Sequence, residues 1–317
     1  MKVVVTGASG FIGRRLVDRL LEIGHQVRAV HRTEVDTDLI RNGAEHVIGD
    51  LSDQETCRTI CRGMDEIYHL AANSGGARFQ GTERLPGLLN VVPSTQVLLA
   101  AMEADVQRVL LAGSTLVGSM NLESNLFPRN DSTFTPISTG YVMEKFFSEQ
   151  LWYEMGVGGR IQTRIARLGH IYGPGRTIGG ASEGVSIAMC RKAVEAMARG
   201  DHEIEIWGDG NQRRTFTYIS DAVEGIQRTM RLDDSEPVVV SARESVCVNE
   251  LVDLIEEIAG VDFKRRYVSD PGAASTIQGL DHDVSRRRLG WEPEVSIAEG
   301  IRLTYEWVRA QLGSDSK

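Results

Sequence analysis

The first apolar segment of the chain is Val3, Val4 and Val5. Three consecutive β-branched residues are too few for a buried helix and do not alternate with polar ones, so they predict a strand covered on both faces. The period then changes. Leu16, Val17, Leu20 and Leu21 recur at helical spacing, and Gly24 supplies a stop signal. A second strand follows from Gln26 to Arg32, and the alternation continues down the chain. Strands are expected at 46–51, 66–72, 108–114 and 161–169, and helices at 55–64, 86–104 and 140–156, the middle one carrying Pro93. Repeated β–α–β units predict a parallel sheet with helices on both faces and a ligand site at the carboxyl ends of the strands. After residue 170 the texture changes to a glycine-rich run from Tyr172 to Gly184, isolated strands, and helices over 248–260 and 297–312.

The turn between the first strand and the first helix reads TGASGFIG, from Thr6 to Gly13. Its glycines at 7, 10 and 13 allow unusual dihedrals, close approach of a ligand to the backbone, and tight helix–strand packing. The helix N-terminus behind them presents free N–H groups and a positive dipole end, which suits a pyrophosphate. With a strand before, a helix after and a second strand beyond, the turn predicts a dinucleotide site built on Gly7, Gly10, Phe11, Ile12 and Gly13. The expected fold class is α/β: a Rossmann-type doubly wound parallel sheet with a smaller α/β substrate-binding lobe. The division expected is 1–169 for the dinucleotide-binding domain, with 215–240 returning to it, and 170–214 and 241–317 for the lobe.

Composition narrows the class. The 317 residues, 41% hydrophobic and 25% charged, can bury a large core. A net charge of −9 leaves no basic stripe for nucleic acid or a membrane surface, and no apolar run is expected to reach a membrane span. The strand at residue 2 or 3 leaves no room for a signal peptide, and the expected location is cytoplasmic. Cys57, Cys61, Cys190 and Cys247 are too few for a disulfide scaffold, and no Cys or His pair nearby completes a metal site with Cys57 and Cys61.

Tyr141 and Lys145 stand four apart on an expected helix, so they share one face. A tyrosine titrates near pH ~10, and a lysine cation beside it favours the phenolate and brings it into use as a base. Ser114 ends the preceding strand, at the edge where the ligand is expected, and its hydroxyl can bond a reacting oxygen. At the end of the second strand, where NAD-binding turns usually place an acidic residue for the ribose, stand His31 and Arg32. With no carboxylate there and Arg32 able to pair with a 2′-phosphate, NADP is favoured over NAD, and Arg14 is a second candidate for the same charge.

These stretches, together with GDL at 49–51, HLAA at 69–72, GST at 113–115, RLGHIYGPG at 167–175 and WGDGNQRRTFTYISDA at 207–222, resemble the extended short-chain dehydrogenases/reductases of the nucleotide-sugar epimerase/dehydratase family. The resemblance spans nearly the whole chain. It implies a catalytic triad of Ser114, Tyr141 and Lys145, with Thr115 as the alternative hydroxyl, and gives Lys145 a second role at the nicotinamide ribose. It implies an adenine contact at Asp50 and Leu51, and cofactor contacts at Leu70, Ala71 and Ala72 beside the pyrophosphate. Arg214 matches an arginine that grips the substrate diphosphate, as suits a guanidinium fork. His170 stands where relatives often carry an asparagine facing the substrate, and a core histidine is the other reading. The two long helices resemble a pair that forms an intersubunit four-helix bundle, which implies a homodimer.

SGGARF at 74–79 and MCRKA at 189–193 resemble the GDP-mannose 3,5-epimerase branch in particular. That branch needs a cysteine where this chain has Leu116, and the 4,6-dehydratases need an acidic pair where it has Thr115 and Leu116; Gln278 replaces an arginine common in the second lobe. The remaining triad supports hydride transfer at a sugar hydroxyl. The expectation is an NAD(P)-dependent nucleotide-sugar epimerase acting at C4. The alternative is an NADPH-dependent nucleotide-4-keto-sugar reductase.

Overall fold

The computed structural model describes residues 1–34, 43–73, 84–118, 140–180, 183–269 and 282–314. The motif at 74–79 and Gln278 therefore lie outside the described residues. The first half contains β1 (Lys2–Thr6), α1 (Phe11–Glu22), β2 (Gln26–His31), β3 (Glu45–Ile48), α2 (Gln54–Cys61) and β4 (Glu66–His69). It continues with α3 (Arg84–Leu88), α4 (Val91–Glu103), β5 (Arg108–Ser114), α5 (Thr115–Gly118), α6 (Gly140–Val157) and β6 (Gln162–Leu168). The second half has β7 (His170–Tyr172), α7 (Val185–Arg199), β8 (Glu203–Trp207), β9 (Arg213–Tyr218), α8 (Ile219–Met230) and β10 (Val238–Val240). It ends with β11 (Ser245–Cys247), α9 (Val248–Ala259), β12 (Lys264–Val268), α10 (His282–Leu289) and α11 (Ile297–Ser314).

Seven strands form one sheet in the order β10-β6-β5-β4-β1-β2-β3, every neighbouring pair parallel. From β1 the chain moves outward through β2 and β3, then crosses back to β4 and continues outward on the other side. The reversal between β1 and β4 is the crevice where such sheets take ligands. The valines of β1 show why that strand reads as an unbroken apolar run. Val3 and Val5 pack on one face with Leu16, Leu20 and Ile226, while Val4 packs on the other with Ile60, Val97, Leu98 and Trp152. Helices thus cover both faces, as the alternation predicts.

The later strands, expected to be isolated, pair with one another. β11, β9 and β7 form a three-stranded sheet, and β12 runs parallel to β8. Their helices close a third core around Ile187, Leu251, Ile255 and Ile301, and Tyr218 packs against both this core and the first.

Two expectations are corrected. The helix expected over 86–104 is two helices, α3 and α4, separated at Leu89–Asn90. Pro93 has no N–H to donate, and its ring crowds the carbonyl four residues back, so it sits in the first turn of a new helix rather than inside a continuous one. Moreover, Leu85–Glu103 is long and apolar enough, with mean hydropathy 1.4, to cross a membrane by length and composition. In the fold it is broken at Asn90, and Val97, Leu98 and Ala101 point into the core.

Candidate active site

The glycine turn sits at the carboxyl end of β1. Gly7 has φ +68°, and a β-carbon on it would come within 2.9 Å of the backbone of Ala71. A β-carbon on Gly13 would lie 2.1 Å from the Gly7 carbonyl oxygen, so only glycine lets α1 start this close to the turn. Gly10 caps α1 without any side-chain hydrogen bond, and no acidic residue lies in the first turn. The N–H groups at this helix end are therefore not occupied by a side-chain cap, and they offer the polarity that a dinucleotide pyrophosphate requires. Leu70 and Ala71 are half-buried and Ala72 is exposed, at the end of β4 directly against the turn.

Two arginines approach the same helix end. Arg14 donates to the carbonyl of Gly175, and the Arg176 guanidinium lies 5.6 Å from the centre of the Phe11 ring while donating to the carbonyl of Ile171. Burial lowers the pKa of each. The start of the glycine-rich run, Gly175 and Arg176, is thereby anchored over α1. Sequence reasoning named Arg14 but passed over Arg176, whose signal was its place in that glycine-rich run.

Thr6, fully buried, ties β1 to β4. Its hydroxyl shares a hydrogen bond of 2.9 Å with His69 Nδ1 and accepts the Ala71 N–H. His69 is stacked on Trp152, and burial, with Lys145 as a second cause, pushes its pKa down to about 3. The ring beside Lys145 is thus neutral.

Ser114 closes β5, 6% exposed, and its Oγ accepts the Leu116 N–H; Thr115, 2% exposed, begins α5. Tyr141 and Lys145 lie in the first turns of α6, with Lys145 Nζ 5.8 Å from the centre of the Tyr141 ring. Lys145 is buried, 4% exposed. Glu144, which sequence reasoning did not single out, is also buried, with Oε2 3.6 Å from Lys145 Nζ.

At the far edge of the crevice, His31 ends β2 only 2% exposed, with Nε2 3.1 Å from His46 Nδ1 and the two rings stacked. Burial and then His46 lower its pKa. Arg32 is exposed. Asp50 is exposed and its carboxylate accepts the Ser52 N–H, whereas Leu51 is buried. On β7 His170 faces Phe216 with ring centres 5.9 Å apart, and its Nδ1 is buried without a hydrogen bond. Burial, then Arg214 and Arg176, lower its pKa to about 3. Arg214 on β9 thus stands close to His170, and the fold brings these two expected substrate residues together.

Comparison with known proteins shows the family and the fold. The model of the NAD dependent epimerase/dehydratase family matches residues 3–241. A GDP-mannose 3,5-epimerase of Arabidopsis thaliana is 30% identical over 319 residues, covering 98% of this chain and 83% of the relative. A putative UDP-glucose 4-epimerase of Methanocaldococcus jannaschii is 27% identical over 97% of this chain and 98% of its own. Among solved structures, a UDP-glucose 4-epimerase of Thermotoga maritima with UDP-glucose superposes with a TM-score of 0.83 at 25% identity, over 98% of this chain and 100% of that one. MoeE5 in complex with UDP-glucuronic acid and NAD gives a TM-score of 0.79 at 27% identity, over 98% and 100% of the two chains. The glycine turn at the switch point, the tyrosine–lysine helix and these matches together make the chain a member of the NAD dependent epimerase/dehydratase family.

Proposed function

We propose that this protein is an NAD(P)-dependent nucleotide-sugar epimerase that acts by transient hydride transfer at a sugar hydroxyl, at C4. The observation that carries the reading is the buried Lys145 ammonium 5.8 Å from the Tyr141 ring, on a helix at the sheet edge where the glycine turn opens. When bound, a nicotinamide dinucleotide supplies the hydride acceptor. Its diphosphate would be held by the N–H groups at α1, in the turn that Gly7, Gly10 and Gly13 let pack tightly, with Phe11 and Ile12 contributing backbone; Asp50, Leu51, Leu70, Ala71 and Ala72 would line the rest.

Tyr141 takes the proton of the sugar hydroxyl as a phenolate and returns it after the sugar presents its other face. Lys145 stabilises that phenolate electrostatically. Ser114 Oγ bonds the reacting oxygen and limits where it can sit, with Thr115 beside it. Arg214 grips the substrate diphosphate, and His170, neutral and next to it, offers a hydrogen bond without competing for charge. Leu116 carries no proton, which sets this chain apart from 3,5-epimerisation despite the 30% identity to an enzyme of that name. The 4-epimerases among the similar proteins support C4.

A second reading, an NADPH-dependent 4-keto-sugar reductase, is favoured by one observation. Arg32 stands exposed just after β2 where a ribose-binding carboxylate is usual. Titration of the protein with NAD and NADP, beside Arg32→Ala, separates the two. At least tenfold tighter NADP that is lost in the variant supports the reductase. Preference for NAD, with interconversion of a UDP- or GDP-hexose and its C4 epimer without added reductant, supports the epimerase. Absence of turnover on such sugars overturns the epimerase, and absence of NADPH oxidation by a nucleotide-4-keto-sugar overturns the reductase.

The partner is a second copy of the chain. Leu85, Leu89, Val92 and Leu99 from α3 and α4, with Met143 and Phe147 from α6, leave a broad apolar face exposed, on the helices whose likeness to an intersubunit bundle suggests a dimer.

A further inference from the structure

The helix that carries Tyr141 and Lys145 also buries two carboxylates, Glu144 and Glu149, each with its side chain wholly removed from solvent. They are treated differently by their surroundings. Glu149 is held by both arms of Arg167, at 2.8 Å and 2.5 Å, so its charge is matched and its oxygens are bonded. Glu144 spends one oxygen, Oε1, on the Ser148 hydroxyl at 2.8 Å. The other, Oε2, is buried with no hydrogen bond and lies 3.6 Å from Lys145 Nζ. A buried carboxylate is costly unless a cation answers it, and here the answering cation is the lysine of the reaction.

We propose that Glu144 is a positioning residue for Lys145: its second carboxylate oxygen holds the lysine amine in place next to Tyr141. The proposal rests on the tyrosine–lysine reading of the reaction. Among the described residues the groups that face Lys145 are few. Tyr141 and Glu144 come from its own helix, and His69 comes from β4, kept neutral by burial. Arg167 on β6 is already matched by Glu149. Among the described residues Glu144 is therefore the only carboxylate within ion-pair range of Lys145. Removing the Glu144 charge is expected to move both pH limits of activity to lower pH.

The test compares wild type, Glu144→Gln and Glu144→Asp by two measurements. The first is the pH dependence of kcat on UDP-glucose or the hexose nucleotide that the wild type turns over. The second is NADH or NADPH binding, whichever the wild type holds more tightly, followed by nucleotide fluorescence as pH rises; the loss of affinity reports deprotonation of Lys145. Glu144→Gln keeps the Ser148 bond and removes the charge, so both limbs of the kcat profile and the binding midpoint fall by on the order of one pH unit. Glu144→Asp keeps the charge but withdraws it by one methylene, and its shift is smaller in the same direction. Unchanged midpoints in the Gln variant overturn the proposal even if its Tm drops, because a purely structural carboxylate moves stability and not titration. If the Gln variant does not fold, the Asp variant decides by the same criterion. If no hexose nucleotide is turned over, the functional reading fails, and the cofactor-binding midpoint alone decides the role of Glu144.

Discussion

Gly87 of α3 lies against the backbone of Tyr141: a β-carbon built on Gly87 would come within 3.0 Å of Tyr141 N and 3.1 Å of its Cα and Cβ. The contact is with main chain, which cannot rotate away. Gly87→Ala must therefore push apart α3 and the start of α6. Overpacking of this kind costs about 1–3 kcal/mol. The expected outcome is a fall in kcat of about tenfold or more with cofactor affinity nearly unchanged, since the glycine turn is remote from the strain. Wild-type kcat in this variant would show that Tyr141 is placed by something other than α3.

Tyr141→Phe removes only the oxygen that moves the proton. The expected loss in kcat is about 10²–10⁴-fold, with the Tm and cofactor Kd of wild type. Lys145→Met does more. It loses activity, weakens cofactor binding, and leaves Glu144 buried opposite no charge, a cost of about 3–5 kcal/mol. A drop in Tm for the lysine variant but not for the tyrosine variant, measured by calorimetry, is the signature. Near-wild-type turnover in Tyr141→Phe removes the phenol from the mechanism.

Arg214→Ala is expected to raise KM for a nucleotide sugar more than it lowers kcat. The diphosphate is held alike in ground and transition states, so its grip is uniform binding. Steady-state kinetics on the nucleotide and on the free sugar check this, and a free sugar that serves equally well contradicts the substrate class.

Acid should destabilise the fold through His69. Its pKa is about 3 in the folded protein against an ordinary 6.5, because burial excludes the charged ring. Below about pH 6.5 the unfolded chain takes up a proton that the folded chain refuses. The stability from the neutral ring is complete above that pH and is lost as pH falls toward about 3, by up to ~1.4 kcal/mol per unit. Urea unfolding of wild type and His69→Gln at several pH values tests it. The difference between them should narrow as the solution is acidified, and a pH-independent difference refutes it.

The exposed apolar face formed by Leu85, Leu89, Val92, Leu99, Met143 and Phe147 should be covered by a second copy. Light scattering at micromolar concentration is expected to give a dimer. Replacing Leu89 and Phe147 by Asp should give a monomer. A wild-type monomer, or a protein that partitions into vesicles through Leu85–Glu103, contradicts the assignment.

The sequence alone determined the class of fold and pointed to the residues proposed to work in the crevice. Strand, turn and helix are local, and their signals are local too: the valine run of β1, the change of period after Gly13, the glycines at 7, 10 and 13, and the four-residue spacing of Tyr141 and Lys145 all lie within short windows. Even the break at Pro93 had a local cause, although the apolar pattern around it ran straight through. What only the tertiary structure decided involves residues far apart in the chain. That Gly87 meets Tyr141, that Arg176 covers Phe11, that Thr6 bonds His69 and that β10 pairs with β6 depend on how the elements stack, which no local period encodes. Glu144 shows the reason most directly. On a helix with one buried face, a carboxylate next to Lys145 would point to solvent. α6 packs against the sheet on one side and α3 and α4 on another, leaving Met143 and Phe147 exposed, and the charge pattern that reads as exposed in sequence becomes a buried ion pair in the fold.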